Sequence, residues 1–282
     1  MAQSVHNSLV PLRTRLSDPY CVAAVRLQTQ TGSQKMENAL LIGLSRQVAL
    51  RRQMDVVANN LANMNTAGYK TGSMMFEEHL MPVAEMNELT GRDRKISFVL
   101  DSSIYQSFAQ GHFEQSGNEL DVAISGDGWL VVQTPDGDRY TRNGQLKLNP
   151  DGQLVTPAGH PVMGEGGPIT FGPNEAGIEI ATDGTISTTE GLRDRLRVVQ
   201  FENNAALRKE GETLFVTEAQ PDDAEDVRVL QGVVEKSNVQ PISELTRMIE
   251  TVRAYTSVSQ TMSQAQDLRR EAIERLGTPP RG

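Results

Sequence analysis

The sequence predicts an α+β protein: an antiparallel all-β central domain flanked by long N- and C-terminal amphipathic helices that pair in a coiled-coil-like inner layer. Apolar residues recur at spacings of three and four over 36–61 and over 242–276, which is typical of helices with one apolar face. Between these segments, Asx-Gly pairs separate short alternating or apolar runs, as in antiparallel strands joined by tight turns. Both helical segments far exceed the roughly 11–12 residues of an average helix.

The N-terminal part divides into two segments. Residues 1–35 contain prolines and a glycine without a sustained period, so they are predicted to be an unstructured leader. Met36 opens the first regular pattern and is therefore a candidate start codon, and deletion of residues 2–35 is expected to leave function intact. Residues 36–70 are predicted to form the N-terminal helix of an inner domain, closed by Gly68 in the left-handed conformation.

The end of this helix carries an asparagine-rich stretch, "ANNLANMNTAGYK". Asparagine is a mediocre helix former, because its amide competes with the backbone for hydrogen bonds. Asn63 and Asn65 fit a role as capping residues, but Asn59 and Asn60 lie a turn or more inside the helix. Amides at such positions fix register when they meet polar groups across a packed interface. We therefore expect Asn59 and Asn60 to contact partners within a packed assembly.

Two segments follow the first helix. Residues 71–110 are predicted to be a connector, with a short helix before Pro82 and an extended run over 96–105. Residues 111–230 are the predicted β domain, because the turn signals concentrate there.

The last segment, 231–282, contains the predicted C-terminal helix of the inner domain. Ser237 or Asn238 is the predicted N-cap, and Pro241 fits the first turn, where its missing donor costs little. Gly277 and the following prolines end the helix.

Composition excludes several classes of protein. The net charge is −9, and the acidic excess lies in the middle of the chain, which argues against nucleic-acid binding. The single cysteine excludes an intramolecular disulfide and a cysteine-based zinc site. No apolar run approaches the ~20 residues that span a bilayer, so no membrane insertion is expected, and the N-terminus lacks the apolar core of a signal peptide.

No pattern of catalytic residues emerges. The four histidines lack metal-binding spacing, no GxSxG elbow occurs, and the glycine pairs fall outside any strand–loop–helix context that binds phosphate. We therefore predict a protein that is not an enzyme, with no catalytic, cofactor-binding or metal-binding residues and no cofactor.

Three segments carry a resemblance to a known family. "VVANNLANMNTAGYK" (56–70) and "VVEKSNVQPISELTRMIETVRAYTSVSQTM" (233–262) resemble the two end motifs of the bacterial flagellar rod and hook proteins, and 126–164 looks like their β domain. The resemblance covers roughly 36–277. It implies a structural rod subunit of the basal body that transmits torque from motor to hook. It also implies export through the flagellar type III apparatus and assembly in the periplasm with itself and with homologous rod subunits.

The resemblance also implies where the subunits meet. The terminal helices would form the inner layer, with the β domain outside. The apolar side chains are expected to carry assembly, and the polar ones to set register. The expected interface consists of Leu40, Leu44, Val57, Asn59, Asn60, Leu61, Asn63, Ser237, Asn238, Ile242, Leu245, Ile249 and Val252.

Two alternatives stay open. Within the family, the segment beginning at Met36 is more similar to proximal-rod subunits, but a distal-rod subunit is the first alternative. A secreted oligomeric module that binds a ligand through its β domain is the second.

Overall fold

The computed structural model describes residues 19–82, 95–173, 175–224 and 227–277. Two long helices, α1 (Pro19–Ala62) and α2 (Pro241–Gly277), precede and follow several antiparallel sheets, which makes the chain an α+β protein. Helix α1 begins at Pro19 and thus takes in part of the segment that the sequence predicts to lack structure, whereas residues 1–18 lie outside the described residues. Neither helix in the described ranges contains a stretch long and apolar enough to cross a membrane.

The two helices lie against each other in opposite directions. Near one end of the contact, Asn60 Nδ2 of α1 donates to Glu244 Oε2 of α2 at 3.2 Å. Near the other end, Gly43 of α1 lies beside the Met262 side chain of α2. Most residues of α2 that are at least partly buried lie at spacings of four and three, as in a helix packed along another helix: Glu244, Met248, Thr251, Tyr255, Val258, Met262 and Ala265. Ala254 and Ser259 are also partly buried and lie beside this seam.

A two-stranded ribbon follows α1. Strands β1 (Gly72–Pro82) and β2 (Lys95–Gln106) pair antiparallel, with Gly72 opposite Gln106 and Pro82 opposite Lys95. The extended run predicted over 96–105 is confirmed. The short helix predicted before Pro82 is wrong, because the backbone of 72–82 is paired along its length with β2.

The β domain consists of short strands, as its turn spacing predicts. The strands are β3 (Phe113–Gln115), β4 (Val122–Ser125), β5 (Trp129–Thr134), β6 (Gly137–Thr141), β7 (Lys147–Leu148), β8 (Leu154–Val155), β9 (Met163–Gly164), β10 (Gly167–Pro168), β11 (Glu179–Ile180), β12 (Thr185–Thr188), β13 (Gly191–Arg195), β14 (Val198–Gln200), β15 (Arg208–Glu210), β16 (Leu214–Val216), β17 (Asp222–Asp223), β18 (Arg228–Gln231) and β19 (Val233–Glu235). The largest sheet has six strands in the order β15-β16-β6-β5-β14-β17.

Strand β5 lies between two hydrophobic clusters. Its side chains alternate, so that Trp129 and Val131 pack into one cluster while Leu130 and Val132 pack into the other. The Trp129 ring meets the Phe215 ring edge to face, with ring centroids 5.0 Å apart. Burial on both faces explains why this strand is a continuous apolar run rather than an alternating one.

Candidate assembly interface

The chain segment that precedes the ribbon lies next to the segment that follows the β domain. The two backbone segments 68–71 and 235–238, here called the clasp, lie side by side. Gly68 N donates to the Glu235 carbonyl at 2.8 Å, and Asn238 N donates to the Tyr69 carbonyl at 3.4 Å. The Asn238 side chain accepts from both the backbone N and Oγ1 of Thr71, at 2.8 and 2.6 Å. The clasp therefore fixes the ends of both long helices relative to the β domain.

The N-cap predicted for α2 is wrong. The helix begins at Pro241, and the Gln240 carbonyl accepts from Glu244 N at 3.0 Å, so Gln240 occupies the cap position. Asn238 instead uses both ends of its amide in the clasp, since its Nδ2 also donates to the Ser107 carbonyl at 2.8 Å. Ser237 is buried and its Oγ accepts from Val239 N at 3.2 Å. Pro241 does occupy the first turn, as predicted.

Asn60 joins three elements at the clasp. Its amide is 1% exposed; Nδ2 donates to the Gly72 carbonyl at 2.8 Å, and Oδ1 accepts from Gly72 N at 3.0 Å. The same amide bonds to Glu244 of α2 and accepts from the Tyr69 hydroxyl at 3.1 Å. One buried asparagine thus connects α1, β1 and α2.

The neighbouring asparagines also find partners inside the chain. Asn59 Oδ1 accepts from the Tyr69 hydroxyl at 2.7 Å. Asn63 Nδ2 donates to the Asn59 carbonyl at 3.0 Å, and its Oδ1 accepts from Thr66 Oγ1 at 3.1 Å. The asparagine-rich stretch therefore forms the helix end and the clasp of a single subunit, and a role in register between subunits stays a prediction.

The clasp contains two buried charges, Lys70 and Glu235, and a third, Arg142, lies beside it. Lys70 Nζ donates to Glu235 Oε1 at 2.6 Å, and both side chains are 1% exposed. Arg142 Nη1 lies 3.6 Å from the other Glu235 oxygen, and its guanidinium lies 5.1 Å from the centre of the Trp129 ring. Burial lowers the pKa of Lys70 and of Arg142, while the Glu235 carboxylate opposes both shifts. Glu235 is therefore the counter-ion of two buried cations.

Gly68 does not end α1, contrary to the prediction, because α1 ends at Ala62 and 63–67 form turns. Its φ of +68° is left-handed as expected, but its role is close packing: a Cβ there would lie 2.3 Å from the carbonyl carbon of Arg142. Clashing backbone atoms cannot rotate away as a side chain can.

Substitution of Gly68 by alanine is therefore expected to destabilise the protein more than the loss of a left-handed glycine alone. Gly117→Ala is the matched control, since Gly117 has φ +74° and a Cβ there would meet nothing within 4 Å. Gly117→Ala is expected to lower the free energy of unfolding by about 1–2 kcal/mol. Gly68→Ala is expected to lower it clearly more, and urea unfolding measures both changes. Equal losses would contradict the steric argument.

The apolar residues of the expected interface fall into two groups. Val57 is buried, and Leu40 and Leu61 are half-buried, so these three pack within the subunit. The others stay exposed to water. We call the α2 members of the exposed group the α2 outer face: Ile242 (82% exposed), Leu245, Ile249 (52% exposed) and Val252; Leu44 of α1 belongs to the same exposed group.

Sequence reasoning missed part of the exposed surface and all of the buried charges. Leu41 and Val48 are exposed beside Leu44 on α1, at spacings of three and four that signal one face. Lys70, Arg142 and Glu235 carry no local signal, because the residues of the pair Lys70–Glu235 lie 165 positions apart. Among the described residues, no group of three or more His, Cys, Asp or Glu side chains is placed to hold a metal ion.

Lys209 lies in a crevice of about 760 Å³ between the end of α1, the ribbon and the loop before β15. Its Nζ lies 3.8 Å from the centre of the Tyr69 ring. Burial lowers the pKa of Lys209 to about 8, with Glu212 opposing the shift. Burial, with smaller effects from Glu244 and Glu212, raises the pKa of Tyr69 to about 12.

The unfolding free energy is expected to rise with pH between about 8 and 10 because of Lys209. The pKa of Lys209 is about 8 in the folded chain, against 10.5 for an ordinary lysine, so the unfolded state binds more protons in that window. Above pH 10 Tyr69 opposes this trend, since its pKa is raised on folding. Urea unfolding of wild type and Lys209→Met at several pH values measures the difference, which should grow with pH. Parallel curves would contradict it.

Three family models match the chain, each on one of the parts described above. "Flagella basal body rod protein" matches 40–70 in α1 and the clasp, and "Flagellar hook protein FlgE/F/G D1 domain" matches 123–188 in the β domain. "Flagellar basal body rod FlgEFG protein C-terminal" matches 230–275, which includes most of α2. Two long helices around this β domain therefore define a protein of the flagellar rod and hook class.

Sequence identity to individual proteins shows which members of this class the chain is similar to. The chain is 39% identical over 246 residues to the flagellar basal-body rod protein FlgF of Caulobacter vibrioides, covering 86% of this chain and 99% of that one. It is 34% identical over 256 residues to FlgF of Salmonella typhimurium, covering 83% and 98%. It is 33% identical over 236 residues to the flagellar basal-body rod protein FlgG of Buchnera aphidicola subsp. Schizaphis graminum, covering 74% of this chain and 88% of that one. The chain belongs to the flagellar basal-body rod protein family and is a FlgF-like structural subunit of the rod.

Proposed function

We propose that the chain polymerises with copies of itself and with homologous rod subunits, and that the resulting rod transmits torque from the motor to the hook. In this proposal α1 and α2 build a coiled-coil-like inner layer, and the β domain of 111–230 lies outside it. The segment 71–110 connects the layers. The function is mechanical and involves no catalysis.

One observation carries the proposal: the α2 outer face is apolar and has no partner among the described residues. Ile242, Leu245, Ile249 and Val252 repeat at spacings of three, four and three, which is the heptad spacing of a helix that packs on another helix. The seam that contacts α1 uses different residues of α2. Helix α2 thus has two packing faces, and one subunit covers only one of them.

The exposure of these side chains favours association between subunits. Burying a Leu, Ile or Val side chain contributes about 1.5–3 kcal/mol, so four exposed side chains in each subunit favour association. The expected interface is therefore carried by the α2 outer face and Leu44, while Leu40, Val57 and Leu61 support it from within the subunit. Asn59, Asn60, Asn63, Ser237 and Asn238 hold the helices at a fixed angle to the β domain.

Assembly outside the cytoplasm requires export. We propose that the chain passes unfolded through the flagellar type III apparatus and folds in the periplasm. The single cysteine supports this route, because no intramolecular disulfide has to form when the chain folds.

Limited proteolysis of the full-length protein tests this function against a free-standing secreted module. A rod subunit should be monomeric in solution and lose residues from the distal ends of α1 and α2, leaving a resistant core that contains 111–235. Mass spectrometry maps the cuts, and light scattering gives the mass. A resistant full-length dimer or trimer would show that the helices are already covered, and would favour the secreted module.

A further inference from the structure

The helix pair has two different sides. On one side a groove of about 400 Å³ runs between α1 and α2. Its lining includes the small residues Gly43, Ala254 and Ser257, and Arg46 is the one charged side chain among the described lining residues. A Cβ at Gly43 would lie 3.1 Å from Met262 Cγ, so the Met262 side chain packs directly over this glycine. The groove is thus a shallow, nearly uncharged depression.

The α2 outer face lies on the other side of the pair. An α-helix turns by about 100° per residue. Counted along α2, the centre of the outer face lies roughly 150° around the helix from Ala254 and Thr261, which line the groove. The exposed residues Leu41, Leu44 and Val48 of α1 face the same side as the α2 outer face by the same count. Each subunit therefore presents a depression on one side and projecting apolar side chains on the other.

The two surfaces match in length and chemistry. On α2 the groove extends from Ala254 to Ala265, about 17 Å at 1.5 Å per residue, and the outer face extends from Ile242 to Val252, about 15 Å. The depression is lined by apolar and small side chains, among them Leu40, Ile42, Val258 and Met262, and the projection consists of branched aliphatic side chains. Helices pack when ridges of side chains on one surface fit into grooves on the other.

We propose that the groove between α1 and α2 receives the α2 outer face of a second copy of this chain, so that copies join head to tail. This inference rests on the proposed function and specifies its contact. Because the two docking surfaces are different, each joined copy keeps one free groove or one free outer face. Such heterologous contacts produce an open helical assembly rather than a closed dimer.

Two consequences follow from the geometry. A single junction is small beside the about 1,200–2,000 Å² of a standard interface, so isolated pairs dissociate and subunits are held by several neighbours at once. The centres of the groove and of the α2 outer face lie about twelve residues apart on α2. If α2 runs in the same direction in both copies, each junction therefore shifts the next copy by about 18 Å along the helix axis.

Cysteine cross-linking of the full-length protein tests the head-to-tail contact. Cys21, the only cysteine, is first replaced by serine. Ser257→Cys then marks the groove, Leu245→Cys marks the outer face, and a third variant carries both changes. A short bismaleimide linker is added at protein concentrations that promote assembly, and products are separated on a denaturing gel.

A head-to-tail contact should give a ladder of oligomers from the double variant, dimers from a mixture of the two single variants, and monomers from each single variant alone. Ser243→Cys replaces Leu245→Cys in the control mixture, since Ser243 is exposed on α2 away from the outer face. Homodimers from Leu245→Cys alone, or equal yields from the test and control mixtures, would overturn the proposal.

Rod assembly in cells carrying Ile249→Asp separates this inference from the proposed function. Loss of the rod together with homodimeric cross-links would retain the function and reject the head-to-tail contact. An intact rod with Ile249→Asp would reject both, because the outer face would then have no role in assembly.

Discussion

Replacing Ile249 with aspartate is expected to abolish rod assembly and swimming motility while the β domain stays folded. Ile249 lies in the middle of the α2 outer face and is 52% exposed, so a lone subunit accommodates the carboxylate in water. In an assembled rod the same carboxylate would be buried among apolar side chains without a counter-ion, which costs several kcal/mol at each junction. Motility in soft agar and purification of basal bodies measure the effect.

Ser243→Asp is the matched control for this change. It adds the same charge to the same helix, but Ser243 is an exposed residue that points away from the outer face. Cells with Ser243→Asp should remain motile. Fluorescence of Trp129, the only tryptophan and a fully buried residue of the β domain, reports whether that domain is intact in both variants. A motile Ile249→Asp strain would show that the outer face is not an assembly surface.

Replacing Glu235 with alanine is expected to lower the free energy of unfolding by about 3–5 kcal/mol, the usual cost of removing one partner from a buried ion pair. The cost should lie at the upper end of that range, because both Lys70 and Arg142 lose their counter-ion. The Gly111 N–H also loses its acceptor, since it donates to Glu235 Oε1 at 2.9 Å. Urea unfolding followed by Trp129 fluorescence measures the loss.

The adjacent residue supplies the control for Glu235. Lys236 forms an ion pair with Glu114 at 3.2 Å, but both side chains are partly exposed, and such surface pairs contribute about 0–1 kcal/mol. Lys236→Ala should therefore unfold at nearly the wild-type urea concentration. If Glu235→Ala did the same, the buried charges would not hold the clasp together.

Periodicity predicted the helix α2, the part of α1 after Met36 and the short strands of the β domain, but it missed the part of α1 before Met36. The apolar spacing in 242–276 places a helix where α2 lies, and the Asx-Gly turns place short strands through 111–230. Such features depend on residues close in sequence, so a single sequence contains them. The periodicity also identified one apolar face of α2, formed by Ile242, Leu245, Ile249 and Val252. It could not tell which face of α2 contacts α1.

Features that depend on distant contacts were not predicted. The strand β1 resembles a short helix locally and becomes a strand only because β2 pairs with it. Asn238 has the residue type of an N-cap but bonds to Thr71 and Ser107 instead, which lie far away in sequence. Lys70 and Glu235 look like ordinary surface residues until the fold brings them together.

The clasp makes the start of the ribbon and the end of the β domain neighbours, since Gly68 and Glu235 are joined by a direct backbone hydrogen bond. A chain segment that starts and finishes at one point can be lengthened, shortened or exchanged while the flanking helices keep their positions. In the proposed inner layer, subunits with unlike outer modules would therefore be interchangeable. A rod built in this way would vary in thickness and surface along its length while its core stayed continuous.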